Sequence, residues 1–464
     1  MYSKKLPFFI AVTGLLTAVG NAMPKKEISL VQSSTGSDPN NGTAGGKKGV
    51  SGAGINVVIG TFVSRINTLR FEGGAFTNLS HVNSTGKKPE FVKPSADGKF
   101  LFTTNMVNDY DGKKSGSVSS LSITPSGEMA VISTVAVPIR PVALDISPDG
   151  KNLIVATFEG ATAVYIPVGE GGKLDEKSVQ LITYKGQGGS ISSIFDAKFD
   201  SDGDVAFFTD RDADSVYVHK FDKKGKKLVE KPFIVKLPKG SGPRNVAVAG
   251  EKEVDLYINC EKTNKIFHAR LTESGEGFEA KEAKEFPSLP SGKSDPMIFG
   301  GEIAVTKDGK FVYSSNRQTD EKKPLEDNTM VVYSRDPKTG ELEKTPKFFP
   351  LGGSSPRHFS FSPDADQSKV IVAFQLSNGV SIFSRDSKDG SLKVEGTTSI
   401  KRATSAFFFP MGGEPGKTKE IKQSSSAKSG ENKGHDQKVE KKSSEKKSAK
   451  ISGSEQGLGG DAEP

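Results

Sequence analysis

Five ionisable residues stand at recurring points of a repeated pattern. Arg244 and Arg357 each lie in a Pro-Arg dipeptide just ahead of an alternating apolar run, in "SGPRNVAV" and "SSPRHFSF". Glu261 and Arg317 each follow a β-type run, in "LYINCE" and "VYSSNR", and Glu302 opens another at "GGEIAV". Guanidiniums brought together bind a carboxylate or phosphate through paired hydrogen bonds. A carboxylate among them can move a proton or anchor the cations. Taken singly, each arginine could equally bond loop carbonyls and tie neighbouring elements together. Taken as a set, Arg244, Arg317 and Arg357 point to an anionic ligand, because crowding three cations is costly unless an anion offsets them. Glu261 is then the candidate for proton transfer, and Arg244, Arg317, Arg357 and Glu302 are the candidates for substrate binding.

Other chemistries lack their residues. "PSLPSGKS" ends like a phosphate loop, but Pro287 stands where the first glycine must be. There is no Gly-x-Ser-x-Gly elbow, no His-Glu-x-x-His and no Cys/His cluster, so neither a metal nor another cofactor is expected. The five histidines, His81, His219, His268, His358 and His435, are widely spaced.

Distant residues can meet only if the fold gathers them, and the repeats supply the means. "PSADGKFLFTTN" from Pro94, "SPDGKNLIVATF" from Ser147, "DSDGDVAFFTDR" from Asp200 and "TKDGKFVYSSNR" from Thr306 share one form. "SPDADQSKVIVAFQ" from Ser362 is a degraded copy, and "AGEKEVDLYINCE" occupies the same place in a sixth. Pro-Asp-Gly is a tight turn, because Pro presets φ, Asp bonds its own backbone and Gly accepts positive φ. Flanking period-two runs make each copy a hairpin. A second strand pair, such as "DSVYVHKF" or "GVSIFSRD", lies between copies. Four strands recurring about every 50 residues are the signature of a β-propeller, an all-β fold. Ile55 to Pro410 has room for seven such blades, six of them with a turn motif. The seventh is expected to combine "INVVIGTF" from the start with "ATSAFFFP" from the end, which closes the ring and removes its open edges. The chain contains no Trp, so the WD40 pattern is not met.

Outside the repeats the composition changes. Lys4 and Lys5, the apolar run Leu6 to Val19 and the small residues Gly20-Asn21-Ala22 read as a signal peptide over 1–22. That run is too short for a membrane span, so secretion to the extracellular space is expected. Residues 23–54 read as a flexible leader, 55–411 as the propeller and 412–464 as a disordered Lys/Ser-rich tail. The tail is a solvated segment or a weak tether to a cell-surface or wall polyanion. Net charge is +8, with acids and bases interleaved and no arginine-aromatic stripe, so nucleic acid is not an expected partner. Cys260 is the only cysteine, which excludes an intrachain disulfide. Sequons at Asn41, Asn78 and Asn83 suit a secreted glycoprotein.

With these motifs in view, the chain resembles the lactonase family of seven-bladed propellers, which includes 6-phosphogluconolactonases and fungal carboxy-cis,cis-muconate cyclases. The resemblance spans roughly Ile55 to Pro410 and rests on "VVIGTF", the "SPDGK" turns, "GSGPRNVAV", "YINCEKTNKI", "VYSSNR" and "SSPRHFSFSPD". It implies a channel-mouth site for lactones bearing carboxylate or phosphate, and a role as lactone hydrolase or muconate-type cycloisomerase. It also implies that the family's arginines correspond to Arg244 and Arg317 and its glutamate to Glu261. One departure stands out. The family carries histidines before the turns of its second and third blades, one of them a catalytic acid or base. Here Val142, Ala143 and Phe195 stand in that region, and Asn245 follows Arg244 where histidine is common. Asp196, Asp210 and His358 are the nearest substitutes, and a non-catalytic propeller that binds an anionic ligand is the alternative reading.

Overall fold

Each repeat is organised by its turn. In Ser147-Pro148-Asp149-Gly150, the Ser147 hydroxyl donates to Asp149 Oδ1 at 2.5 Å and accepts from the Asn152 amide at 3.0 Å. Asp149 Oδ1 also accepts from the Lys151 amide at 3.0 Å, and Gly150 takes φ 71°. Ser95-Asp97-Gly98 and Thr306-Asp308-Gly309 repeat the arrangement. At the third copy Asp200 accepts from both Asp204 and Val205 amides, so one carboxylate replaces the hydroxyl and carboxylate pair.

The computed structural model of the chain describes residues 54–409, apart from 84–85, 187–190, 252, 276, 282, 294, 321 and 323–327. The segments read as signal peptide, leader (to residue 53) and tail, with Asn41 and His435, lie outside the described residues. Asn78 and Asn83 are exposed.

Seven antiparallel sheets form the described domain, each with one strand innermost. The inner strands are Ala403–Phe409, Pro89–Pro94, Pro141–Ile146, Ile194–Phe199, Pro243–Ala249, Ile298–Val305 and Pro356–Phe361, and they define blades 1 to 7 in that order. Each inner strand lies against the next around a closed circle. Blade 1 joins the two ends of the domain, as expected from the sequence: Ala403–Phe409 pairs with Ile55–Thr61, with Val57 opposite Phe408. The junction with blade 2 is stitched by Ser405, whose hydroxyl accepts from the Val92 amide at 3.1 Å and donates to the Glu90 carbonyl at 2.8 Å.

Seven apolar clusters fill the seven junctions between neighbouring blades. Phe207 of blade 4 packs with Val246 and Ile258 of blade 5, and Val57 of blade 1 packs with Ile371 and Ile382 of blade 7. Both faces of a blade are therefore buried, which is why its central strands read as nearly continuous apolar runs.

This geometry positions the site. The chain enters an inner strand at one face, turns at the Asp-Gly copy on the other face and returns along the second strand. The start of the inner strand and the end of the second strand thus meet at the same opening in every blade. At that entry all seven blades carry a β-bulge, seen as a register shift. A bulge inserts an extra residue and re-aims its side chain.

A Cβ added at Gly150 meets nothing within 4 Å, so its left-handed φ is the sole constraint there. Gly150→Ala is expected to lower unfolding free energy by about 1–2 kcal/mol, with Gly150→Asn losing less. Denaturant unfolding measures both, and an unchanged midpoint for Gly150→Ala contradicts the role given to the turn.

Candidate functional site

Two rings of equivalent residues line the opening. The first is the residue that follows the second strand relative to the bulge: Phe62, Met106, Phe158, Arg211, Glu261, Arg317 and Gln375. All seven line one cavity of about 410 Å³. The second ring holds the bulge residues, and Val142, Phe195 and Arg357 of this ring also line that cavity. Arg140 and Arg402 complete its charge. Among the described residues, five arginines and a single carboxylate, Glu261, therefore face one space.

Glu261 is the hub. Its side chain is only 7% exposed. Oε1 accepts from Arg211 Nη1 at 3.1 Å and Oε2 from Arg317 Nη2 at 2.9 Å, while Arg244 Nε lies 3.4 Å from Oε2. Arg244 Nε makes no hydrogen bond at all, so its approach to Glu261 is charge attraction alone. Burial works to raise the Glu261 carboxyl, but Arg317, Arg244 and Arg211 together outweigh it and hold the group below its ordinary range. Glu261 is a carboxylate at neutral pH and a proton acceptor of low affinity.

Each arginine is fixed by a ring or a carbonyl as well as by charge. Arg211 stacks on Phe158 at 4.6 Å and Arg244 on Phe195 at 4.5 Å. Arg244 also donates to the Gly301 carbonyl and Asn245, and Arg317 Nε donates to the Gly300 carbonyl at 2.9 Å. Arg357 donates to Glu90 and lies 5.0 Å over Phe62. Burial, and then repulsion from Arg317 and Arg357, disfavours the charge on Arg244; burial does the same at Arg317. Both guanidiniums stay charged at neutral pH, so an arriving anion relieves this crowding.

Below the opening a second cavity, about 20 Å³, is lined by Glu90, Arg244, Asn245, Glu302, Arg357 and His358 among others. Glu302 belongs here and not to the upper cavity. Its sequence position looked equivalent to Arg244, but Gly301 holds the bulge position in blade 6 and Glu302 sits one residue deeper. Burial drives its carboxyl up. Arg317 also departs from expectation, since it lies within Phe311–Gln318 and not after it. Blade 6 runs two residues further past its bulge than blade 5, with Ile298 opposite Gln318.

The structure brings Arg244, Glu261, Arg317 and Arg357 together, and it sets the alternative acids and histidines apart. Asp196 accepts from the Ala197 and Val246 amides and knits blade 4 to blade 5. Asp210 accepts from the Ser193 and Ala213 amides and the Tyr217 hydroxyl. Neither lines either cavity. His358 lines the lower cavity, where burial and then Lys198, Lys93, Arg244 and Arg357 keep it neutral. Its Nδ1 accepts from the Ala406 amide at 3.3 Å, so the neutral ring carries its proton on Nε2, 3.8 Å from Glu302. His219 bonds Tyr184 and Val229, His268 bonds Asp255, and His81 is exposed. Val142 and Phe195 form apolar floor. No group of His, Cys, Asp and Glu suited to a metal occurs among the described residues.

Sequence reading missed Arg211, Arg140 and Arg402. For Arg211 the signal was present: "DSDGDVAFFTDR" ends on it, at the position Glu261 holds in the next blade.

Comparison with known proteins agrees with this architecture. Residues 56–408 match the family described as lactonase, 7-bladed beta-propeller. A 6-phosphogluconolactonase of Formosa agariphila is 27% identical over 344 residues, covering 70% of this chain and 91% of that protein. A probable 6-phosphogluconolactonase of Arthroderma benhamiae is 24% identical over 352 residues, covering 74% and 85%. The periplasmic gluconolactonase of Pseudomonas aeruginosa shares the fold, with a TM-score of 0.64 at 23% identity over 78% of this chain and all of that one. With its seven closed blades and its match over most of its length, this chain belongs to the family of seven-bladed β-propeller lactonases.

Proposed function

We propose that the protein is a hydrolase of anionic sugar lactones, acting in the upper cavity. The observation that carries this reading is the convergence of five arginines on a space holding one carboxylate. Names of the relatives, 6-phosphogluconolactonases, support the substrate class. In the proposed reaction a water oxygen bonds to the lactone carbonyl carbon and the ring C–O bond breaks. The water proton passes to Glu261 and on to the departing ring oxygen, which leaves as the alcohol of a hydroxy acid. Arg317 and Arg357 bind the oxyanion that forms, and Arg244 holds the cluster from below. Because Glu261 is a weak base, most of the acceleration comes from preorganised positive charge.

A second reading has one observation in its favour: among the described residues, no histidine lines the upper cavity. On that reading the mouth binds an anionic ligand without turnover. A muconate-type cycloisomerase would use the same clamp but needs proton transfer at carbon, a heavier demand on Glu261. We also propose export of the chain, on the strength of the Lys4-to-Ala22 leader and the exposed sequons Asn78 and Asn83.

Arg317→Ala is expected to lower kcat/KM on 6-phosphoglucono-δ-lactone by about 10²–10³. Assaying carboxymuconate lactone alongside separates the two reactions, and wild-type protein that turns over neither leaves the binding reading. Glu261→Gln should abolish turnover and lower stability by about 3–5 kcal/mol, because it strands buried arginines; retained activity rules out Glu261 as the proton acceptor.

The pH profile follows from the sign of the Glu261 shift. The group is depressed, so its base form, and the stability its pairs contribute, are present above the unfolded value and are lost as pH falls through the folded one. On the unphosphorylated δ-lactone, which carries no phosphate titrating at about pH 6, catalysed kcat/KM should be flat from about pH 6 to 8 and fall only on the acid side of the ordinary carboxylate range. A limb near the histidine range contradicts this.

A further inference from the structure

Arg357 is held differently from the arginines beside it. Arg244 and Arg317 each donate to a main-chain carbonyl, of Gly301 and Gly300, which fixes them to the inner strand of blade 6. Arg357 bonds only side chains among the described residues: Nη1 donates to Gln375 Oε1 at 3.3 Å and Nη2 to Glu90 Oε1. It lines both cavities, so it is the guanidinium shared by the opening and the space beneath. A holder that is a side chain can let go without any movement of the backbone.

Glu90 is the charged holder, and half of it is unused. Its side chain is 3% exposed, and Oε2 has no hydrogen-bond partner. A buried acceptor left without a donor is costly, whereas Glu261 uses both oxygens on arginines. The main chain is fixed, because the Glu90 carbonyl accepts from Thr404 at 2.6 Å and Ser405 at 2.8 Å. Only the side chain can turn, and the lower cavity is the place for it to turn to. Glu90, Arg244 and His358 line that cavity, and about 20 Å³ is room for one water-sized oxygen. The neutral His358 carries its proton on Nε2, and this N–H makes no hydrogen bond among the described residues; Glu302 Oε2 lies 3.8 Å away. A carboxylate turned into this space meets the His358 N–H and the Arg244 guanidinium, so its charge is not stranded. Glu302 lines the same space, and burial raises its carboxyl toward the neutral form, which lessens the repulsion.

We propose that Glu90 is an exchangeable counterion for Arg357, gripping the guanidinium until an anion on the bound molecule competes for it and then turning into the lower cavity. The exchange rests on the anion-binding part of the lactone-hydrolase reading, and it adds a residue and a step to that reading. While Glu90 holds Arg357 it cancels that positive charge and repels a second carboxylate, so it weakens the hold on product. In the hydrolysis the developing oxyanion displaces Glu90, and the return of Glu90 to Arg357 helps to expel the hydroxy acid. Glu90 is thus a positioning residue that acts through Arg357 and takes no proton itself.

The test compares the purified full chain with its Glu90→Gln variant, using gluconate as the probe. The substitution keeps the size of the side chain and an acceptor for Arg357 but removes the charge. Calorimetric titration should show gluconate bound about tenfold to a hundredfold more tightly by the variant. If Glu90 served only to hold Arg357 in place, the variant would bind equally or more weakly, and that result overturns the proposal. A crystal structure of the wild type with gluconate decides the matter even if the variant fails to fold. Arg357 should bond the gluconate carboxylate, with Glu90 turned into the lower cavity beside His358. An intact Arg357–Glu90 pair with gluconate bound, or no gluconate binding by either protein, overturns the exchange. Turnover of the unphosphorylated and phosphorylated δ-lactones is measured alongside. Tighter binding by the variant with no turnover by either protein sinks the hydrolase reading and leaves the exchange standing.

Discussion

One carboxylate holding several guanidiniums is the interaction on which the site depends. In water such an assembly would gain little, because exposed ion pairs are worth about 0–1 kcal/mol. At the channel mouth the geometry is different. Glu261 and Arg244 are almost fully buried, and the arginine is pinned by the Phe195 ring and the Gly301 carbonyl. The low dielectric strengthens the attraction and equally strengthens the repulsion among Arg244, Arg317 and Arg357. Glu261 offsets part of that repulsion; the remainder is a standing demand for negative charge, which an anionic ligand would satisfy.

That interaction exists only because the ring is closed. No two of Arg211, Glu261 and Arg317 share a blade, and Arg357 comes from a fourth. Their meeting follows from the repetition of one hairpin in which entry and return lie on the same face. The bulge at each entry converts an ordinary alternating strand into one that aims a side chain across the channel. The apolar clusters between blades supply the rigidity, and the strand joining the two ends of the domain supplies the closure.

Much of the fold was legible in the sequence. The Asp-Gly turns, their spacing and the split blade all announce themselves in residues such as Gly98, Gly150 and Gly309, whose conformation leaves few alternatives. The convergence of four candidate residues was legible too, because Pro-Arg and strand-end charges recur. Depth and register were not. Glu302 reads as a neighbour of Arg244 until the extra bulge residue, Gly301, is counted. Arg317 reads as a loop residue until the longer hairpin of blade 6 is seen. Arg140 and Arg402 carry no motif, since their position at the cavity comes from a place in the ring that sequence does not display. Asp196, Asp210 and His358 looked interchangeable with a missing histidine, and only their hydrogen-bond partners show two of them joining elements and the third lying beneath the floor.

The most direct test of the central claim is a crystal structure of the protein with the hydroxy-acid product bound. The account expects the product carboxylate within hydrogen-bond reach of Arg317 and Arg357, beside Glu261. A product bound on the turn face of the ring, or in the mouth with its carboxylate away from these arginines, contradicts it.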